Sequence, residues 1–139
     1  MSVSRVADIM SSCIITVSEG DTLARVIEVF GQAKISGAPV VNAEGSYVGV
    51  ISKTDLASYK LVQKLQAGKT IDTITAQELM NPNPPMCVPE DGPIDNAVEL
   101  MDKHQVHRIF VTNPAGQIIG IVTTLDVVSR MRYSFESYL

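Results

Sequence analysis

Gly120-Ile121-Val122-Thr123-Thr124-Leu125-Asp126 is the stretch on which the reading of this chain turns. Gly120 brings no side chain, so a second backbone or a ligand can approach closely. Ile121 and Val122 are β-branched, which suits a packed strand. Thr123 and Thr124 place hydroxyls at the strand's end. Asp126 falls in the first turn of whatever helix follows, where a carboxylate complements the positive helix end. Held there, it can also accept two hydrogen bonds from a vicinal diol such as ribose. The arrangement occurs once more as Gly49-Val50-Ile51-Ser52-Lys53-Thr54-Asp55, at a constant offset of 71 residues (49 to 120, 55 to 126). The chain is a tandem repeat.

Composition narrows what such a repeat can be. With 139 residues and a 45% apolar fraction, a real hydrophobic core is within reach. One repeat alone buries too little surface for comfortable stability, so the halves, residues 1–70 and 71–139, are expected to share a core. The net charge is −4, and the 11 basic residues form no run and no aromatic-basic interleaving, which argues against nucleic acid as a partner. No apolar stretch approaches the roughly 20 residues that span a bilayer, so no membrane partner is expected. Cys13 and Cys87 do not correspond under the repeat offset, which makes a reduced, cytoplasmic setting the default expectation.

Taken in order, Ser4 is placed to cap a short helix carrying Val6, Ala7, Ile9 and Met10. Ile14 to Val17 reads as a strand, and Leu23, Val26, Ile27, Phe30 and Ala33 recur at helical spacing. Ala38–Asn42 is a strand whose Pro39 predicts an edge or a strand beginning. Ala43, Glu44 and Gly45 turn the chain into Tyr47–Ser52, and Asp55 opens a helix running to about Gln66. Thr75 and Glu78 have capping-box spacing for a short helix ending at Met80. The second half repeats the order, with a strand at Met86–Val88, a helix from Pro93, hairpin strands at Val106–Thr112 and Gln117–Thr123, and a last helix from about Leu125. Val17/Val88, Glu28/Glu99, Val40/Val111, Asn42/Asn113 and Gly45/Gly116 are identical pairs. Each half reads helix, strand, helix, strand, strand, helix, an α/β arrangement.

With V-A-D-I-M and A-Q-E-L-M at the repeat starts, S-G-A-P-V-V and H-R-I-F-V-T in the first hairpin strands, and two glycine-led motifs ending in aspartate, the chain resembles a tandem pair of CBS domains, a Bateman module, over essentially its whole length. The resemblance implies a pseudo-two-fold module with packed sheets and clefts between the repeats. Such clefts bind adenine nucleotides (AMP, ADP, ATP), S-adenosylmethionine or related ligands, and no metal is required. It implies that Asp55 and Asp126 grip ribose, with Ser52 and Thr123 near ribose and phosphate. It pairs Asp126 and Thr123 with Thr16, Ala38 and Pro39, and Asp55 and Ser52 with Cys87, His107, Arg108, Ile109 and Phe110. His107-Arg108 is similar to the phosphate-contacting pair of the γ-subunits of AMP-activated kinase, and guanidinium offers a planar charged fork to phosphate. Phe110 stands where the family usually has proline, and Leu125 removes a polar residue from the second motif.

Blander readings accompany these residues. Asp55 and Asp126 also suit simple first-turn acids, Ser52 and Thr123 helix caps, and Met10, Met80, Met86 and Met101 adaptable core filler. His104, His107 and Cys87 lack a fourth metal ligand. An enzyme is not expected, because no nucleophile, metal cage or phosphate-cradling glycine loop stands out. The expected function is a regulatory module that senses an adenosyl ligand and reports to a protein target; the alternative is a ligand-free dimerisation or docking module. A homodimer is expected through helical faces bearing Leu56, Tyr59, Val127, Val128 and Met131.

Overall fold

The structure, a computed structural model, describes residues 4–12 and 14–136, with side chains through residue 130. Cys13 and the side chains of Met131, Tyr133, Phe135 and Tyr138 lie outside the described residues. The chain divides into two compact units, an inner one of Ile15–Pro85 and an outer one joining Met1–Ile14 to Met86–Leu139, the names referring to position in sequence. Contacts therefore group the N-terminal segment with the second repeat, where the sequence repeat alone groups it with the first.

The inner unit runs β1 (Val17–Ser18), α1 (Leu23–Ala33), β2 (Gly37–Val41), β3 (Tyr47–Ser52), a 3-10 turn (Asp55–Ala57), α2 (Tyr59–Gln66) and α3 (Ala76–Leu79). The outer unit runs a 3-10 turn (Val6–Asp8), β4 (Cys87–Pro89), α4 (Ile94–His104), β5 (Arg108–Thr112), β6 (Ile118–Thr123) and α5 (Thr124–Glu136). Each unit has one three-stranded sheet, β1-β2-β3 or β4-β5-β6, with the first pair parallel and the second antiparallel. Both hairpins turn on a glycine at positive φ, Gly45 at 81° and Gly116 at 80°, where a Cβ is disfavoured. The mixed α/β class and the repeated element order are as the sequence predicts.

The amphipathic helices close each core. Leu23, Val26 and Phe30 of α1 pack with Val17, Ala38, Val40 and Ile51, while Ala97 and Met101 of α4 pack with Val88, Ile109, Val111 and Val122. Thr22 caps α1 by accepting the amide of Arg25 at 3.2 Å. Both helices end on a non-glycine residue in the left-handed region, Lys34 (φ 55°) and Gln105 (φ 53°).

Each core is completed by an arm that precedes the repeat it does not belong to. Residues 74–81 dock on the inner unit, with Leu23 N donating to Ile74 O at 2.8 Å, Ala76 N to Asp21 O at 2.8 Å and Gln77 N to Glu19 O at 3.0 Å. Residues 4–12 dock on the outer unit in the same manner, with Val6 N donating to Gly92 O and Ala7 N to Glu90 O, both at 2.9 Å. Ile74 and Val6 are fully buried as a result.

Several local expectations are corrected. Ser4 does not cap the first turn; Arg5 holds that position, and the Ser4 hydroxyl accepts from Arg130 Nε and Nη2 at 3.1 and 2.8 Å. The predicted strand at 14–17 shrinks to Val17–Ser18. Pro39 lies in the central strand, tolerated because β1 begins only opposite Val40, so at Pro39 that side of the ladder has not started. The helix expected from Asp55 breaks at Ser58, whose carbonyl accepts the amides of Leu61 and Val62 at the start of α2. Val127 and Leu56, expected on an exposed face, are core: Val127 is buried and Leu56 packs against the inner cluster.

Candidate functional site

Each hairpin ends in the same small device. Asp126 Oδ2 accepts the amide of Thr123 at 2.8 Å and its hydroxyl at 3.0 Å, and the Asp126 amide donates back to Thr123 Oγ1 at 3.3 Å. Asp55 Oδ2 accepts the amide and hydroxyl of Ser52 at 2.7 and 3.0 Å. The bonds converge on one carboxylate oxygen, which leaves Oδ1 with lone pairs for a further donor. An oriented, half-buried carboxylate of this kind can accept hydrogen bonds from a hydroxyl. The glycine-led strand matters here, since Gly120 and Gly49 pair with Val111 and Val40 in the middle of each hairpin.

Strand register sorts the other candidates by face. Directly opposed residues share a face, and neighbours along a strand alternate. Arg108 opposes Thr123, Phe110 opposes Ile121, and Cys87 is the register partner of Phe110. Cys87, Arg108, Phe110, Ile121 and Thr123 therefore share one face of the outer sheet. Ile109, with Val111 and Val122, belongs to the core cluster on the other face. In the inner sheet Gly37 opposes Ser52 and Pro39 opposes Val50, whereas Ala38 opposes Ile51 and points into the core. Thr16 is exposed immediately before β1. Ile109 and Ala38 thus turn their side chains into their own cores, away from the sheet faces that carry Arg108 and Pro39.

His107 sits differently from Arg108. It is exposed and lines a groove of about 250 Å³ with Val98, Met101, Val106, Thr124, Val127 and Val128, on the helical side of the outer unit. Exposed Leu125 (72%) and Val128 (52%) stand on the same helix. Leu125 was visible in the sequence only as a departure from a polar position, and its exposure makes it an apolar surface residue.

Electrostatics add two facts. Burial pushes the Cys87 thiol up from its ordinary value, which suits a wall and not a nucleophile. Glu78 is pulled down from 4.5 to about 2, first by the hydrogen bond from Lys69 and then by the backbone amide of Thr75, with Lys64 also nearby. Among the described residues no three His, Cys, Asp or Glu side chains gather as a metal cluster. No described helix is long and apolar enough to cross a membrane.

Comparison with known proteins bears on these features. The CBS domain family profile matches residues 6–61 and again 76–133. The chain is 30% identical over 131 residues to inosine-5'-monophosphate dehydrogenase of Methanocaldococcus jannaschii, covering 94% of this chain and 24% of that protein. It is also 30% identical over 122 residues to arabinose 5-phosphate isomerase KpsF of Escherichia coli, covering 88% of this chain and 36% of that protein. The chain thus spans about a quarter to a third of these enzymes. Among solved structures, the CBS domain pair of protein MJ0100, in complex with 5'-methylthioadenosine and S-adenosyl-L-methionine, is 26% identical, with a TM-score of 0.73 and coverage of 92% and 99% of the two chains. CBSX2 in complex with AMP is 26% identical, with a TM-score of 0.73 and coverage of 95% and 98%.

Proposed function

From the premise that this chain belongs to the CBS domain family and carries the domain twice, we propose that it is a regulatory module that binds an adenosyl ligand and passes its occupancy to a protein target. The observation that carries the reading is the doubled aspartate device, in which Oδ2 of Asp55 and of Asp126 is held by its own Ser52 or Thr123 while Oδ1 is left for ribose. Arg108, on the face shared with Thr123, supplies the fork for phosphate. In this reading Cys87 and Phe110 of the outer unit and Thr16 and Pro39 of the inner unit remain ligand candidates, Ala38 and Ile109 only through their backbone, and His107, which lines the separate helical groove, leaves the set. Support comes from two neighbours of the same family that bind AMP or sulfonium and thioether adenosyl ligands. The role is binding, not catalysis, and needs no metal.

Titration calorimetry with AMP, ADP, ATP, adenosine and S-adenosylmethionine tests the reading. Saturable binding of at least one, weakened roughly ten-fold or more by Asp55→Ala or Asp126→Ala, is expected, the loss of a charged hydrogen bond being worth about 1.5–3 kcal/mol. No binding of any of these ligands would leave the assembly role in its place. Arg108→Ala should weaken AMP more than adenosine; equal losses would remove Arg108 from the phosphate position.

We also propose a homodimer in the cytoplasm, formed through exposed helical faces. Tyr59 (74%), Val62 (43%) and Leu65 (46%) on α2, and Leu125 and Val128 on α5, are apolar residues of the kind that self-association covers. Light scattering at micromolar concentration should give twice the chain mass; a monomer with and without ligand would overturn this.

A further inference from the structure

The methionines that close V-A-D-I-M and A-Q-E-L-M do more than fill space. Met10 lies flat on Gly120, its Sδ 2.5 Å and its Cγ 3.1 Å from where a Cβ on that glycine would stand. Met80 does the same at Gly49, with Sδ 2.7 Å and Cε 3.3 Å from the corresponding point. The residue after each methionine then pairs with the strand: Ser11 exchanges two hydrogen bonds with Ile121 at 2.9 Å, and Asn81 exchanges two with Val50 at 3.0 and 2.9 Å. Each thioether is therefore the last apolar contact before an arm joins the edge of its sheet. The two differ in access, since Met80 is 7% exposed while Met10 is only half-buried.

We infer that Met10 is an oxidation-sensitive latch, at which a peroxide converts the thioether to a sulfoxide and releases Ser11 from the edge of the outer sheet. The sulfur lone pair attacks one oxygen of hydrogen peroxide, the O–O bond breaks, an S–O bond forms and water leaves. Sulfur loses two electrons and the peroxide gains them. The product is polar and chiral where the thioether was soft and apolar. Its added oxygen has no room on the Gly120 side, where the sulfur already stands too close to admit even a Cβ. Turning the other way lifts the chain off Gly120 and, with it, Ser11 off Ile121. Met80 is shielded by its burial and holds its arm under the same conditions. Sulfoxide reduction restores the latch.

The test exposes the whole chain to hydrogen peroxide and follows each methionine by peptide mass spectrometry, with amide hydrogen exchange on the same samples. Met10 should gain oxygen roughly ten-fold or more faster than Met80, because oxidation follows exposure. At full Met10 oxidation the amides of Ser11 and Ile121 should exchange roughly ten-fold faster, while those of Val50 and Asn81 stay as they were. Met10→Leu, a volume-conserving change, should keep its slow exchange through the same treatment, and Met10→Gln should exchange fast without any peroxide. Equal oxidation of Met10 and Met80, or unchanged exchange at Ser11 and Ile121 once Met10 is oxidised, would overturn the inference. So would peroxide-induced loosening in Met10→Leu, which would assign the effect to another methionine.

Discussion

Asp126 and Thr123 hold each other by three hydrogen bonds, two received by Asp126 Oδ2 and one returned from its amide to the threonine hydroxyl. The pair is at once a helix cap and an oriented carboxylate. Thr123→Val removes the hydroxyl and nearly conserves shape. It should cost about 1 kcal/mol of stability, the usual worth of a cap, and also weaken adenosyl ligands by leaving Asp126 free to rotate. Chemical denaturation and calorimetry on one sample separate the two effects. An unchanged affinity would mean that the carboxylate needs no positioning.

Glu78 gives a pH prediction. Its folded pKa of about 2 lies below the ordinary 4.5, so its contribution is fully present above about 4.5 and is lost as pH falls through about 2. Lys64 and Lys69 are 37% and 41% exposed, so solvent screens the pairs. Glu78→Gln should therefore cost at most about 1 kcal/mol at pH 7 and become indistinguishable from wild type near pH 2. Thermal melts from pH 7 to 2 check this; a constant difference across the range would contradict it.

Three glycines should respond to alanine in three ways. At Gly49 a Cβ meets the carbonyl of Asn81 and Met80 Sδ, so Gly49→Ala should cost about 1–3 kcal/mol by overpacking. At Gly120 the nearest atom belongs to the flexible Met10 side chain, with Ser11 O at 3.1 Å, and the loss should be smaller. Gly31 lies within α1 with nothing inside 4 Å, so Gly31→Ala should stabilise by about 0.5–1 kcal/mol. Urea midpoints in any other order would contradict the packing described.

The two left-handed helix ends give a matched pair. Lys34→Gly and Gln105→Gly each relieve a Cβ in a conformation that costs about 1–2 kcal/mol, and each should raise the melting temperature. A fall in either variant would show that Lys34 or Gln105 contributes more through its side chain than its backbone costs.

The hairpins, their turns and the aspartate device were legible because each rests on residues next to one another in sequence. Gly45 and Gly116 announce the turns, and Ser52 with Asp55 sit three residues apart. The break at Ser58 was not legible, since Ser129 occupies the same repeat position inside a continuous helix. The partners of Val6 and Ser4 were hidden for another reason: both find them beyond residue 90, a separation that no local pattern encodes. Pro39 predicts an edge or a strand beginning, because strand lengths are not written in propensity; a two-residue β1 leaves room for it in the central strand.

The reciprocal arms also set the order in which the molecule can be finished. The Val6 amide bonds to Gly92, and its side chain fills a cluster containing Val122 and Val127, all far along the chain from it. Residues 4–12 can close their core only once residues beyond 90 are in place. The inner unit faces a shorter delay, because only a 3-10 turn and α2 separate residues 74–81 from the strand they complete. Non-local closure of this kind is slow relative to local pairing, so the inner unit should mature first and the outer unit last. A fragment cut between the repeats would strand each arm on the wrong piece.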